Sequence, residues 1–248
     1  MAIVVESTTE TLVGANDSTP TFNMPSTRPN SDLYLMCFGC DGDASGGWTL
    51  TGWSTTSSIG ASTNAEAHEG TVSAAIMGRI GSSEPASYTF GSGPSEEWVF
   101  YVLRLSGFDT SDNLDVVANG TGNSTTATAP TATPTTSGGL VVRLWAIDTD
   151  NPTYSSGPTG HTRRGSSSSS AGGAGSAYAG VATDDTTTTA SVAEGTLVMP
   201  GAYDDNWAAI TLVVNVSAGP AVTQPIWLRT GGVRGMRAGQ NQNLGRTW

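Results

Sequence analysis

Two cysteines, Cys37 and Cys40, stand in the stretch LYLMCFGCDGD. A CxxC spacing serves either disulfide exchange or half of a zinc site. A tetrahedral zinc site needs two more ligands. The only histidines are His68 and His161, in EAHEG and PTGHTRRG, and neither has a second ligand beside it. The redox form wants a strand running into a helix, and no helical pattern follows Cys40. The expectation is two reduced thiols packed as small apolar side chains at a strand end.

Carboxylates are the other candidates. In DGDASGG, Asp41, Asp43 and Ser45 take positions 1, 3 and 5 of a calcium loop and Gly46 takes position 6. The bidentate acid that should close the loop is replaced by Gly52. A second cluster, DTSDNLD, holds Asp109, Asp112, Asn113 and Asp115. Asp41, Asp43, Asp109 and Asp112 are thus weak calcium candidates. The competing reading is an Asx-rich turn, in which these side chains bond their own backbone. The pairs Glu96-Glu97, Asp184-Asp185 and Asp204-Asp205 cannot each form a glycosidase dyad, because neighbours on a strand point to opposite faces. Nucleophile-elbow, phosphate-loop and HExxH motifs are absent. The expectation is a protein that is not an enzyme and uses no cofactor.

The elements that carry these residues are short and apolar, with period-two alternation or brief continuous runs. They are residues 3–8, 20–24, 33–38, 48–53, 72–80, 87–90, 98–107, 114–117, 140–147, 177–183, 190–199 and 207–216. Turn formers such as RPNSD, GDASGG, DTSDN and TSGG separate them, the pattern of a sandwich or barrel. Residues 98–107 and 140–147 are apolar on both faces except at Arg104 and Arg143. Strands of that kind lie between two layers, and either Arg needs a partner if buried. A Thr/Ala/Pro-rich stretch, 119–139, reads as extended and edge-like, and the Ser/Gly-rich 163–177 as a loop or hairpin tip. No repeat of 20–50 residues is visible. The fold expected is all-β: a single, jelly-roll-like β-sandwich over residues 1–217 and an extended basic C-terminal tail over 218–248.

Composition narrows the function. Charged residues are 12% of the 248, and all ten basic residues are Arg. Residues 1–205 carry six Arg against 21 acids, a charge of −15, whereas residues 206–248 carry four Arg and no carboxylate, +4. So acidic a body disfavours nucleic acid. No apolar run approaches the roughly 18 residues of a membrane span, and MAIVVESTTE has neither the basic start nor the apolar core of a secretory signal. The tail offers Trp227, Leu228 and Trp248 as apolar anchors and Arg229, Arg234, Arg237 and Arg246 as charged contacts. Trp and Arg are the types enriched at interface hot spots.

The stretches EPASYTF, WVFYVLRLSGFDTSDNLDV, GNSTTATAPTATPTTSGGLVVRLWAID, PTGHTRRGSSSSSAGGAGSA and NWAAITLVVNV together resemble a β-sandwich domain widespread among tailed-phage virion proteins. The resemblance covers about residues 30–217 and leaves the basic tail unexplained. It implies a structural virion protein. The first expectation is a capsid decoration (cement) protein on the outer surface of the head shell, made in the host cytoplasm. Its partners would be the major capsid protein and other copies of itself, arranged by analogy as a homotrimer. The alternative is a tail or fibre adhesin that binds host glycans, with Trp48, Trp53, Tyr154 and Tyr178 as stacking platforms.

Overall fold

In a computed structural model of the chain, the described residues are 2–42, 50–53, 66–91, 93–148, 158–170, 176–184, 195–198 and 205–217. By internal contacts the chain divides into Met1–Ala218 and Gly219–Trp248. The second unit lies outside the described residues, and every described strand belongs to the first.

Fourteen strands account for the regular structure among the described residues, none of which is helical. Seven come before residue 107: β1 (Val4–Asp17), β2 (Thr21–Asn23), β3 (Leu33–Asp41), β4 (Glu66–Glu69), β5 (Val72–Ile80), β6 (Ser87–Thr89) and β7 (Glu96–Ser106). Seven come after it: β8 (Leu114–Ser124), β9 (Thr126–Ala129), β10 (Leu140–Asp148), β11 (Thr162–Ser168), β12 (Ala177–Asp184), β13 (Gly195–Val198) and β14 (Asp205–Val214). The first seven make a five-stranded sheet, β1-β7-β3-β5-β4, and a ribbon, β2-β6. The last seven make β8-β14-β10-β12-β11 and a ribbon, β9-β13. All pairs are antiparallel.

Adding seven to each strand number converts the first arrangement into the second. The chain is therefore a structural duplication with a period of about 107 residues, read from Leu33 and Leu140 at the starts of β3 and β10. Both of these strands run from Leu to Asp, ending at Asp41 and Asp148. Trp98 pairs with Cys40, and Trp207 pairs with the equivalent Ile147. Even the irregularities recur. The pairing slips between Val5 and Ser7 in β1 and at the matching place, between Leu114 and Val116, in β8. Each slip leaves one extra residue, as a β-bulge does, and that residue is an acid both times, Glu6 and Asp115.

Within each half the strands pair as nested partners: β1 with β7, β2 with β6, β3 with β5, then β8 with β14, β9 with β13, β10 with β12. The nested pattern thus occurs twice, once in each half of the all-β body. Period-two patterning reports a strand's faces but not its partner, so one nested set and two look alike in the sequence.

The layers arise from the hydrophobic pattern. The inner faces of the two large sheets meet in one core that includes Leu35, Cys37, Val99, Leu103, Leu144, Val181 and Ile210. The outer face of the first sheet is roofed by β2-β6 and by Leu50 and Trp53, enclosing Tyr34, Phe38, Trp98 and Phe100. The outer face of the second is roofed around β9, enclosing Ala127, Trp145, Ile147 and Trp207. This is why β7 and β10 are apolar on both faces: each has a layer above and below. Removing a large side chain of this kind from water is worth on the order of 1.5–3 kcal/mol. Residues 119–139, expected to be extended, supply the end of β8 and all of β9. Part of the Ser/Gly-rich stretch forms β11, which the sequence did not distinguish from a loop.

Candidate functional site

The predicted tail contacts Trp227, Leu228, Arg229, Arg234, Arg237, Arg246 and Trp248 lie outside the described residues. So do Asp43, Trp48, Tyr154, Asp185 and Asp204. The remaining candidates can be placed.

Cys37 and Cys40 are buried free thiols. Burial pushes both far above the ordinary thiol range, and the neighbouring Glu96 and Asp41 add to this for Cys40. Neither is therefore a nucleophile, in keeping with the packing role read from the sequence.

The DTSDNLD cluster does not converge on a point. Asp109 accepts from the Ser111 N–H (2.8 Å), the Ser111 hydroxyl (2.6 Å) and the Asp112 N–H (3.2 Å). Those bonds hold its carboxyl below the usual range. Asp115, the bulge acid, turns instead to the loop after β9. It accepts from the Thr135 N–H (2.6 Å), the Thr135 hydroxyl (2.6 Å) and the Thr136 N–H (3.1 Å). Asp109 Oδ1 is thus the acceptor of an Asx turn, the competing reading of this cluster. Asp41 ends β3, and its loop partner Asp43 lies outside the described residues. Among the described residues, no three His, Cys, Asp or Glu side chains come together as a metal site.

The two strand arginines have different fates. Arg104 lies at a rim, with Glu6 at 3.5 Å and Asp32 at 3.4 Å. Arg143 is fully buried under the second sheet's roof. Its Nε donates to His161 Nε2 (3.0 Å), and its Nη1 donates to the Ala129 carbonyl (3.2 Å) and reaches Thr211 Oγ1 at 3.5 Å. Accepting that bond leaves His161 neutral with its proton on Nδ1, which lies 3.4 Å from the Thr159 carbonyl. Burial first, and the Arg143 charge second, lower the His161 pKa.

A further buried charge escaped the sequence reading. The Glu84 carboxylate, fully enclosed, meets Arg79 at 3.0 Å, the Ser82 N–H at 2.8 Å and the Tyr88 hydroxyl. Arg79 also donates to Tyr88 (2.7 Å) and lies over the rings of Trp53 and Tyr88. Trp53 is buried against Phe22 and Tyr88, and Tyr178 is buried as well. Neither is an exposed stacking platform, which corrects that part of the glycan reading. The partners lie close in sequence, between residues 79 and 88, but no motif there marks the carboxylate as enclosed.

Among the described residues, an end and an edge stand out. Equivalent strands close at one end in acids: Asp41 and Glu96 in the first half, Asp148 and Asp205 in the second. Burial, and then the charge of Asp148, raise the Glu96 pKa. Thr71, in the β4-β5 turn, donates to Asp148 and accepts from Asn206 Nδ2 at 3.3 Å, tying the halves together here.

The edge is β1, 14 residues long and outermost in its sheet. Among the described residues no strand pairs with its outer side. Thr9, Thr11 and Val13 face the β2-β6 ribbon, and the Thr11 hydroxyl accepts from the Asn23 N–H at 2.9 Å. Thr8, Glu10 and Leu12 face the other way, opposite the core residues Leu103, Tyr101 and Val99. Glu10 is exposed, and Leu12 is 44% exposed, unusual for a large apolar side chain. Both chain ends of this unit meet at the other extremity of β1. Ser217 N–H donates to the Gly107 carbonyl (3.0 Å), and a Cβ on Gly107, at φ 77°, would lie 2.4 Å from the Ala2 carbonyl oxygen.

No protein-family model matches this chain, and neither a curated protein nor a solved structure matches it.

Proposed function

We propose that this is a structural virion protein of a tailed phage, and specifically a head decoration (cement) protein: a single sandwich-like body standing on the capsid shell, with residues 218–248 as an extended basic docking arm. The observation that carries the reading is the division of labour in the chain. The body's large sheet faces are covered on both sides, its buried charges are engaged internally, and it bears −15. The last 43 residues bear +4 with no acid. A body of this kind suits display in many copies, and an arm that orders on docking adds interface area at an ordering cost. The partners proposed are the major capsid protein and neighbouring copies, which a three-fold arrangement would bring together.

The test is co-sedimentation of the full chain and of a chain ending at residue 217 with capsid shells of the parent particle. The reading expects the full chain to saturate the shells and the shortened chain to bind at least about tenfold more weakly, as for loss of a few interface hot spots. Equal binding by both would remove the arm from the mechanism, and no binding by either would remove the shell. The glycan-binding adhesin is the weaker reading, since Trp53 and Tyr178 are buried.

A further inference from the structure

The duplication supplies an internal comparison for the roofs of the two sheets. Position for position, Arg143 in β10 corresponds to Met36 in β3. The first roof closes over an apolar side chain there, and the second closes over a guanidinium.

Arg143 ties the second roof together. Ala129 of β9 pairs with Gly195 of β13. The Ala129 carbonyl accepts from Arg143 Nη1, and a Cβ built on Gly195 would lie 2.5 Å from the same nitrogen, so β13 begins directly over the guanidinium. Nε donates to His161, which ends the turn at residues 158–161. That turn is lightly held. Thr159 and Gly160 are exposed, and a Cβ built on Gly160 would meet nothing within 4 Å. The backbone bond across it, from the His161 N–H to the Pro158 carbonyl, is 3.3 Å long.

The Arg143 bond exists only for a neutral ring, because Nε2 must offer a lone pair. A second proton would set an N–H and a positive charge 3.0 Å from the guanidinium nitrogen. Among the described residues, the charged groups acting on His161 are Arg143 on β10 and Asp184 on β12. Asp184 favours the charged ring, but burial and Arg143 outweigh it. Of the two partners, Arg143 is the fixed one: it is fully buried, on a strand paired on both sides, by β12 and β14.

We propose that His161 is a pH-sensitive latch: in acid the charged ring leaves Arg143, the turn at 158–161 swings out, and the second roof loosens while the first stays shut. Opening takes up one proton, on Nε2, and admits water to the guanidinium and to the Ala129–Gly195 end of the β9-β13 ribbon. In the open turn the histidine titrates at its ordinary 6.5, so opening is favoured as the pH falls below that value. The gain in the opening constant at pH 5 is at most about thirtyfold, the limit for a closed state that binds no proton.

The test is amide hydrogen exchange of the full chain, corrected for intrinsic rates, at pH 7.5 and pH 5. Peptides covering residues 158–168 and 195–198 should exchange several-fold faster at the lower pH, and peptides covering β2 and β6 should not. His161→Gln keeps an acceptor for Arg143 without titrating, and should stay shut at both values. His161→Lys carries a permanent charge, and should exchange at pH 7.5 as the parent chain does at pH 5. Unchanged protection of β2 and β6 shows that each variant has folded. An acid response retained in His161→Gln would overturn the latch. So would an equal response in both roofs, which is global loosening, or a His161→Lys chain that stays shut at pH 7.5. Shell binding does not enter this test, so failure of the latch leaves the shell reading standing.

Discussion

Gly39 and Ala146 occupy the same position in the two halves and face each other across the core, so that a Cβ built on Gly39 would lie 2.7 Å from the Cβ of Ala146. Equivalent residues in mutual contact mark the place where a two-fold relation between the halves passes through the molecule. A glycine there lets the central strands β3 and β10 approach. Gly39→Ala should destabilise by about 1–3 kcal/mol through overpacking. The pair Gly39→Ala with Ala146→Gly should recover most of that loss, because the volume at the contact is restored. Thermal melts of the three variants test this; no recovery in the double variant would mean that the contact does not limit the sheet spacing.

Arg143 is the one fully buried cation among the described residues, and its equivalent in the first half is Met36, which faces the same kind of roof. Replacing Arg143 by Ala removes the donors to His161 and Ala129 and leaves a void, a loss of about 3–5 kcal/mol. Arg143→Met should cost markedly less, since buried ion networks often tolerate an apolar side chain of similar volume. Denaturant unfolding of both variants tests the ranking. Equal losses would show that the hydrogen bonds matter more than the packing.

His161 predicts a pH dependence. Its folded pKa is lowered from the ordinary 6.5, first by burial and then by Arg143. The unfolded chain therefore binds the proton more readily than the folded one. Stability is complete above pH 6.5, and falls as the pH drops below 6.5 toward the folded value. His161→Gln should flatten that part of the melting-temperature profile. An unchanged slope in this variant would assign the dependence to the carboxylates instead.

Glu84 is held by Arg79, the Ser82 N–H and Tyr88. Glu84→Ala strands the Arg79 charge in an enclosed site and should lower stability by about 3–5 kcal/mol. Glu84→Gln keeps the shape and should cost less. Urea titration distinguishes them, and a change below about 1 kcal/mol for Glu84→Ala would show that Arg79 finds another partner at its partly exposed end.

Much of this architecture was legible in the residues. Residues 72–80 form a strand over the whole predicted stretch, and the doubly apolar β7, β10 and β14 are indeed covered on both faces. The duplication was not legible. Its markers are a Leu-to-Asp strand and a tryptophan after two polar residues, recurring at about 107 residues, while the side chains between them have diverged from Cys37 to Leu144 and from Met36 to Arg143. Pairing defines the repeat; side-chain identity does not, because any apolar residue of suitable size fills such a core. The Asp109 turn could be read from Asx chemistry alone. The Glu84 site could not, since its partners Arg79, Ser82 and Tyr88 are near in sequence but the enclosure of its carboxylate follows only from the packing of β5 and β6.

Display of this body on a phage head shell by way of its basic arm is open to direct observation: cryo-EM of the assembled particle at a resolution that traces the chain. Density for the fourteen strands is expected on the outer face of the head, with residues 218–248 reaching the shell or an adjacent copy. Density confined to the tail tip, or none anywhere on the particle, would refute the display.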